Sequence, residues 1–181
     1  MEDKVVNINK VIGPVFIGDS PEYNVDTAIN ELLKCIAKQH HEFRDIKRRP
    51  SSDTINKISH NNIKSKRHII KQYLDFSSKV ENAFFLIDSL IPFGKQIVIQ
   101  SLNDLYYEAL DEIDVDYFSN EIDIEKIKDN SEFILDYIIQ KLICSVYESK
   151  NAPEIKEQIE LGVNVVVAHA FIECVVLENP S

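Results

Sequence analysis

Turn-forming residues are scarce in this chain, and their scarcity constrains the fold more than any other feature. The 181 residues include four Gly and six Pro. An all-β sandwich or barrel needs a turn about every 8–12 residues, so the sequence predicts a mainly helical protein. A hydrophobic fraction of 44% and a charged fraction of 28% are typical of one folded domain with a sizeable core.

Apolar residues recur at helical spacing through most of the chain and predict an irregular all-α bundle of about five principal helices. We expect these helices to form a single domain over residues 20–181. Residues 1–19 alternate apolar and polar side chains and predict a short β-like arm or hairpin, which could add a strand to a partner's sheet. The predicted main helices cover residues 20–48, 63–91, 94–113, 131–147 and a last stretch that begins at Pro153, with short helical pieces at 55–58 and 122–128.

The stretch GVNVVVAHAFIECVVLENP, residues 162–180, is the most apolar part of the chain. Its valines favour a strand, but the apolar spacing after Pro153 predicts that a helix continues through it. His169 and Glu173 are one turn apart on that helix, away from its polar stripe. We expect them to be a buried polar pair, bonded to each other or to polar groups of an adjacent helix. The alternative is that the pair belongs to an interface.

Spacing excludes several chemistries. The three cysteines are far apart and form no CxxC pair, which suits reduced thiols in a cytoplasmic protein. There is no GxxxxGK[ST] or GxGxxG motif for nucleotides, no Glu-x-x-His motif for di-iron, and no clustered Cys or His for zinc. Residues 163–177 are too few to span a bilayer, which takes about 20 residues. We therefore expect no catalytic residues, cofactor, metal or membrane insertion.

Charge is distributed unevenly along the chain. Residues 38–71 hold ten Lys or Arg against three acids, whereas residues 104–136 hold twelve acids against two Lys, within a net charge of −10. Solvated helix faces explain most such blocks, although they also orient partners or bind phosphates. Nucleic-acid binding through residues 38–71 is the main alternative function, and the acidic net charge argues against strong general binding.

Two stretches, KISHNNIKSKRHIIKQYLDFSSKVENAF (57–84) and EIKEQIELGVNVVVAHAFIECVVLENP (154–180), carry a resemblance to a known family. Together they resemble the C-terminal helical domain of effectors in bacterial ABC-three-component conflict systems, the anti-phage group that includes Lamassu. In this chain Val175 stands where that pattern has an acid after the last cysteine. The positions that match the pattern are His60, Asn61, Asn62, Tyr73, Gly162, Cys174 and Glu178.

The resemblance implies a non-enzymatic regulatory or docking module in a defence complex built around an SMC-like or ABC-type ATPase. Its partners would be the ATPase and effector subunits, with nucleic acid reached only through the complex; a homo-oligomer and a small regulator of a toxin-like effector stay open. We expect HNN to begin a helix that Asn61 caps. The candidate docking residues are His60, Asn61, Asn62, Lys64, Arg67 and Lys71.

Overall fold

The computed structural model describes residues 25–39, 50–173 and 175–180, and within these ranges the secondary structure is entirely helical. The predicted all-α class is confirmed. The predicted arm at residues 1–19 lies outside the described residues. The helices are α1 (Ala28–Lys38), α2 (Ser52–His60), α3 (Arg67–Leu90), α4 (Gly94–Glu112), α5 (Ile124–Asp129), α6 (Ser131–Glu148) and α7 (Lys156–Ile172).

Five long helices form the bundle and two short ones connect them. α3 packs against α1, α4 and α7, while α6 packs against α4 and α7. All five contribute fully buried side chains to one continuous core. The helical spacing predicted a bundle of about five long helices, because each apolar stripe must be covered by a neighbour; it did not predict which helices pack together.

α1 begins later than the sequence predicted. Val25, Asp26 and Thr27 are not helical, and Thr27 caps the helix by accepting the N–H of Asn30 at 3.2 Å. Asn151, in the loop before α7, fixes this start by accepting the Thr27 N–H at 2.9 Å and donating to the Thr27 carbonyl at 3.1 Å. Because Asn151 holds both backbone groups of Thr27, the helix begins directly after this residue. The prediction that a helix starting at Ser20–Pro21 includes residues 25–27 is therefore wrong. The predicted end near residue 48 lies outside the described residues.

The region before α3 also differs from expectation. Ser51 accepts the Thr54 N–H at 3.1 Å and starts α2, which is a nine-residue helix rather than a short turn. The long helix α3 starts at Arg67, not at Ile63. Ile63 lies in the intervening turn and is completely buried, so its apolar character reflects packing and not helical position.

A tight corner joins α3 to α4. Phe93 takes a left-handed conformation with φ 60°, and a Cβ on Gly94 would lie 2.9 Å from the Ile87 carbonyl oxygen. Asp88 accepts the Lys95 N–H at 2.8 Å and satisfies the start of α4. Among the described residues no single helix is long and apolar enough to cross a membrane, and α3 and α4 pass that test only together, as a pair bent by 114°.

α7 confirms that the valine-rich run is helical, with different limits. It starts at Lys156, three residues after Pro153, and ends at Ile172. Every residue from Val165 to Phe171 is buried, as expected for a helix covered on several sides. Gly162 allows α1 to approach, since a Cβ there would lie 2.7 Å from Leu33 Cδ2. Beyond α7, Val176 and Leu177 return to the core in a non-helical tail.

Candidate docking site

His169 is buried, as predicted, and its partner is on an adjacent helix. Its Nδ1 is hydrogen-bonded to the Tyr73 hydroxyl of α3 at 3.2 Å, and its ring lies 4.7 Å from the Phe84 ring centroid. Among the described residues Nε2 has no hydrogen-bond partner. Burial, assisted by the Lys95 ammonium, lowers the pKa of His169 to about 4, so the imidazole is neutral at physiological pH.

Glu173 is exposed, so the prediction that it forms a buried pair with His169 is wrong for Glu173. α7 ends at Ile172, and Glu173 is its C-cap, with its N–H donating to the His169 carbonyl at 2.8 Å. The buried part of α7 stops at Phe171, so the next two residues pass progressively into solvent. Helical spacing predicted one shared face for the two residues, but it could not show that the helix and its buried part end before Glu173.

The HNN sequence ends a helix, contrary to the prediction that it begins one. His60 is the last residue of α2, Asn61 is its C-cap, and Asn62 has φ 52°. Asparagine favours both helix starts and the left-handed residue after a helix end, so its presence alone does not distinguish the two. Of these three candidate docking residues, His60 is half-buried and Asn62 exposed, whereas Asn61 is completely buried and unavailable to a partner.

Asn61 instead connects two distant parts of the chain. Its side-chain amide donates to the Lys57 carbonyl at 2.9 Å and to the Glu178 carbonyl at 2.7 Å, and its Oδ1 accepts the Glu178 N–H at 3.2 Å. The Tyr106 hydroxyl donates to Glu178 Oε1 at 2.9 Å. Burial, together with the Glu178 carboxylate, raises the pKa of Tyr106, so the phenol stays protonated as donor. Two residues of the family resemblance, Asn61 and Glu178, therefore meet in a structural contact.

The remaining candidate docking residues form a basic edge, consisting of Lys64, Arg67 and Lys71. All three are exposed, and within the described ranges none forms an ion pair with a carboxylate. Arg67 lies beside the preceding turn, where its Nε donates to the Ile63 carbonyl at 2.9 Å. Arg67 and Lys71 are one turn apart on α3 and share a face. This edge can present positive charge to an acidic partner or to phosphates.

Two carboxylates of α6 hold the turn beneath this edge, one through its backbone and one through a lysine side chain. Glu132 accepts the Ser65 hydroxyl at 2.7 Å and the Lys64 N–H at 2.6 Å, and Asp136 pairs with Lys66. The Ser65 hydroxyl, followed by the backbone N–H groups of the turn, lowers the pKa of Glu132 to about 2. The turn that carries the basic edge is therefore fixed to α6 by hydrogen bonds and an ion pair.

Four exposed large apolar side chains lie at the α3–α4 corner, in a region where the sequence predicted no site. We call Phe85, Leu86, Leu90 and Phe93 the apolar corner. Phe85 and Phe93 are each 74% exposed and Leu90 is 62% exposed. Leu86 and Leu90 are one helical turn apart, and Phe93 follows in the turn to α4. Isolated exposed apolar residues are ordinary, whereas several close together in the chain make this corner a candidate interaction surface.

One sequence signal for this corner was present. Residues 83–91, AFFLIDSLI, contain more large apolar side chains than one helical stripe can bury. Phe84 and Ile87 point into the core, which forces Phe85 and Leu86 toward solvent. Adjacent phenylalanines cannot both face the same neighbour, because successive helical side chains diverge by about 100°.

Comparison of the chain with protein families, with curated proteins and with solved structures finds no match. Within the described ranges no group of three or more His, Cys, Asp or Glu side chains is arranged to hold a metal ion.

Proposed function

We propose that this chain is a non-catalytic docking module whose apolar corner binds a partner protein. The exposure of Phe85, Leu86, Leu90 and Phe93 on one corner is the observation that supports this function. Burying a large apolar side chain contributes about 1.5–3 kcal/mol. A partner that covers this corner would therefore gain several kilocalories per mole before the cost of association.

Phe93 strengthens the proposal because its conformation is costly. A left-handed φ is unfavourable for a residue with a bulky side chain by about 1–2 kcal/mol, whereas Gly and Asn adopt it readily. The Phe93 ring is 74% exposed, so it contributes little to the core in return. A strained aromatic residue held toward solvent at a rigid corner suits the anchor of an interface.

The resemblance to the helical domain of ABC-three-component effectors supplies the proposed partner class. The module would connect an SMC-like or ABC-type ATPase with an effector in an anti-phage defence complex. The basic edge at Lys64, Arg67 and Lys71 would supply electrostatic orientation, which affects association rate and specificity more than affinity.

The test is co-purification of the tagged chain with an ATPase and an effector encoded beside its gene. We expect the double variant Phe85→Ser/Phe93→Asn to abolish co-elution, since it removes both rings while Asn retains the left-handed backbone. Phe118→Ser is the matched control, because Phe118 is 86% exposed at a different place, in the loop between α4 and α5. Co-elution that survives the double variant, or that is lost equally in the control, contradicts docking through the apolar corner.

Nucleic-acid binding is the second candidate function, and the cations of the basic edge favour it, since they form no ion pair within the part of the chain that the structure describes. Phosphate contacts by Lys and Arg would give affinity that falls steeply as salt rises. A gel shift with duplex DNA and RNA at several salt concentrations tests this, comparing the chain with Arg67→Glu/Lys71→Glu. Salt-dependent binding that the double variant loses would favour the nucleic-acid function over protein docking at this edge. Equally weak nucleic-acid binding by the wild-type chain and the double variant would exclude the basic edge as a nucleic-acid site.

A further inference from the structure

A long groove lies between α4 and α6, with the start of α1 contributing to its wall, and encloses about 770 Å³. On α4 its lining runs from Ile97 to Glu108, and on α6 from Tyr137 to Glu148. Most members of each set lie three or four residues from another member, so each wall is mainly one face of a helix. Eleven residues of helix rise about 16 Å, so the groove is about three helical turns long.

The base of the groove is apolar. Leu142 and Tyr137 are buried beneath it, and Ile29 and Leu105 are half-buried at its sides. Ile97 is 45% exposed on the α4 wall. A surface of this kind leaves hydrophobic area in contact with water and gives an apolar ligand a place to bury side chains.

The edges of the groove are acidic. Four carboxylates and one ammonium line it, which gives a formal charge of −3; they are Asp26, Asp104, Glu108, Glu148 and Lys141. The single Lys141 lies 3.6 Å from Glu108 and is locally compensated. Asp26, Asp104 and Glu148 are exposed, and no ion pair to them occurs among the described residues.

We propose that this groove binds a basic amphipathic helix of a partner protein. Its length fits three helical turns, its apolar base fits the hydrophobic stripe of such a helix, and its acidic edges fit flanking Lys and Arg. Two facing helical walls also offer ridges between which a third helix can pack. The groove shares no residue with the apolar corner, and the proposal does not rest on the function proposed above.

A synthetic peptide probe tests the proposal by fluorescence anisotropy. The probe is a fluorescein-labelled, terminally blocked helix of about 15 residues, with Leu at i, i+3, i+4, i+7 and i+11 and Lys elsewhere. A second peptide replaces each Lys with Glu. We expect the Lys peptide to bind saturably and the Glu peptide not to bind. Equal binding of the two peptides, or binding of neither, would overturn the proposal.

Charge-reversed variants separate the groove from general attraction to an acidic protein. Asp104→Lys/Glu148→Lys alters the groove, and Asp111→Lys/Glu112→Lys makes the same net change at exposed acids outside it. We expect the groove variant to bind the Lys peptide with an affinity about tenfold or more lower than wild type. The control variant should lose about twofold or less. Equal weakening in both variants would contradict a groove site.

Cys144 offers an independent readout, because its exposed thiol lies in the groove wall while Cys35 is buried. We expect a bulky maleimide on Cys144 to block the Lys peptide, and the peptide to slow the labelling. Cys144→Ala treated with the same reagent should bind normally, which controls for other thiols. Unchanged binding after labelling would overturn the site.

The variant Phe85→Ser/Phe93→Asn should keep its peptide affinity, so failure of the apolar corner and failure of the groove are distinguishable. A wild-type dimer in sedimentation that excludes the peptide would assign the groove to a second copy instead.

Discussion

Asn61 holds the backbone of Glu178 at both its N–H and its carbonyl, at 3.2 Å and 2.7 Å. The same side-chain amide also donates to the Lys57 carbonyl at the end of α2, so it joins the end of this helix to the segment that follows α7. Val176 and Leu177, just before Glu178, are buried, so this contact keeps a small apolar segment on the core.

Asn61→Ala should therefore lower the free energy of unfolding by about 1–3 kcal/mol, because it leaves buried backbone groups without partners. Urea denaturation measures this. Asn62→Gly is the matched control at the next residue. Asn62 is exposed with φ 52°, so glycine should leave stability unchanged within about 1 kcal/mol. Equal stability of Asn61→Ala and wild type would show that the tail does not depend on this amide.

The helices were predictable from sequence because apolar spacing is a repeated signal. The valine-rich run shows its strength: periodicity after Pro153 identified a helix although valine favours strands. Helix ends were less predictable, since they depend on single contacts between distant residues. Asn151 fixes the start of α1 and Asn61 fixes the end of α2, and neither contact leaves a periodic pattern.

The candidate site was predictable only in part. Exposed cations at Lys64, Arg67 and Lys71 followed from composition, whereas the burial of Asn61 did not, because asparagine is usually exposed. The apolar corner was not predicted, since an apolar residue in a helix is normally assigned to the core. Only the three-dimensional direction of Phe84 into the core shows that Phe85 must face solvent.

His169 should make stability depend on pH. The pKa of His169 is lowered from 6.5 to about 4 by burial and by Lys95, so the unfolded chain binds a proton that the folded protein does not. The contribution of the neutral imidazole to the free energy of unfolding is fully present above pH 6.5. It is lost as the pH falls toward 4, by up to about 1.4 kcal/mol per pH unit. Denaturation at a series of pH values measures the slope. The double variant Tyr73→Phe/His169→Phe should reduce it, and an unchanged slope would assign it to other groups.

Gly162 should show opposite effects of one substitution in two backgrounds. Gly162→Ala places a Cβ 2.7 Å from Leu33 Cδ2, and we expect a loss of about 1 kcal/mol from overpacking. In a Leu33→Ala background the contact is gone, and the same change should stabilise by about 1 kcal/mol through helix propensity. A double-mutant cycle by thermal or urea denaturation tests this. The same sign in both backgrounds would refute the close contact of α1 with α7.

Glu132 should titrate well below the ordinary range of a glutamate side chain. Its pKa is lowered to about 2 by the Ser65 hydroxyl and the N–H groups of the turn. Carbon-13 NMR of the side-chain carboxyls should show Glu132 still ionised near pH 3, and Ser65→Ala should raise its midpoint. A midpoint near 4.5 in the wild-type protein would mean that the turn below the basic edge is not anchored by this carboxylate.

Hydrogen exchange at the α3–α4 corner tests the central claim most directly. In the complex with a co-purified ATPase or effector, peptides covering residues 85–97 should exchange more slowly than in the free chain, because a partner covers the apolar corner. The loop at residues 114–121, which carries the exposed Phe118, is the internal reference and should be unchanged. Slower exchange confined to residues 85–97 is the predicted result. A stable complex in which residues 85–97 exchange as they do in the free chain would contradict docking through this corner.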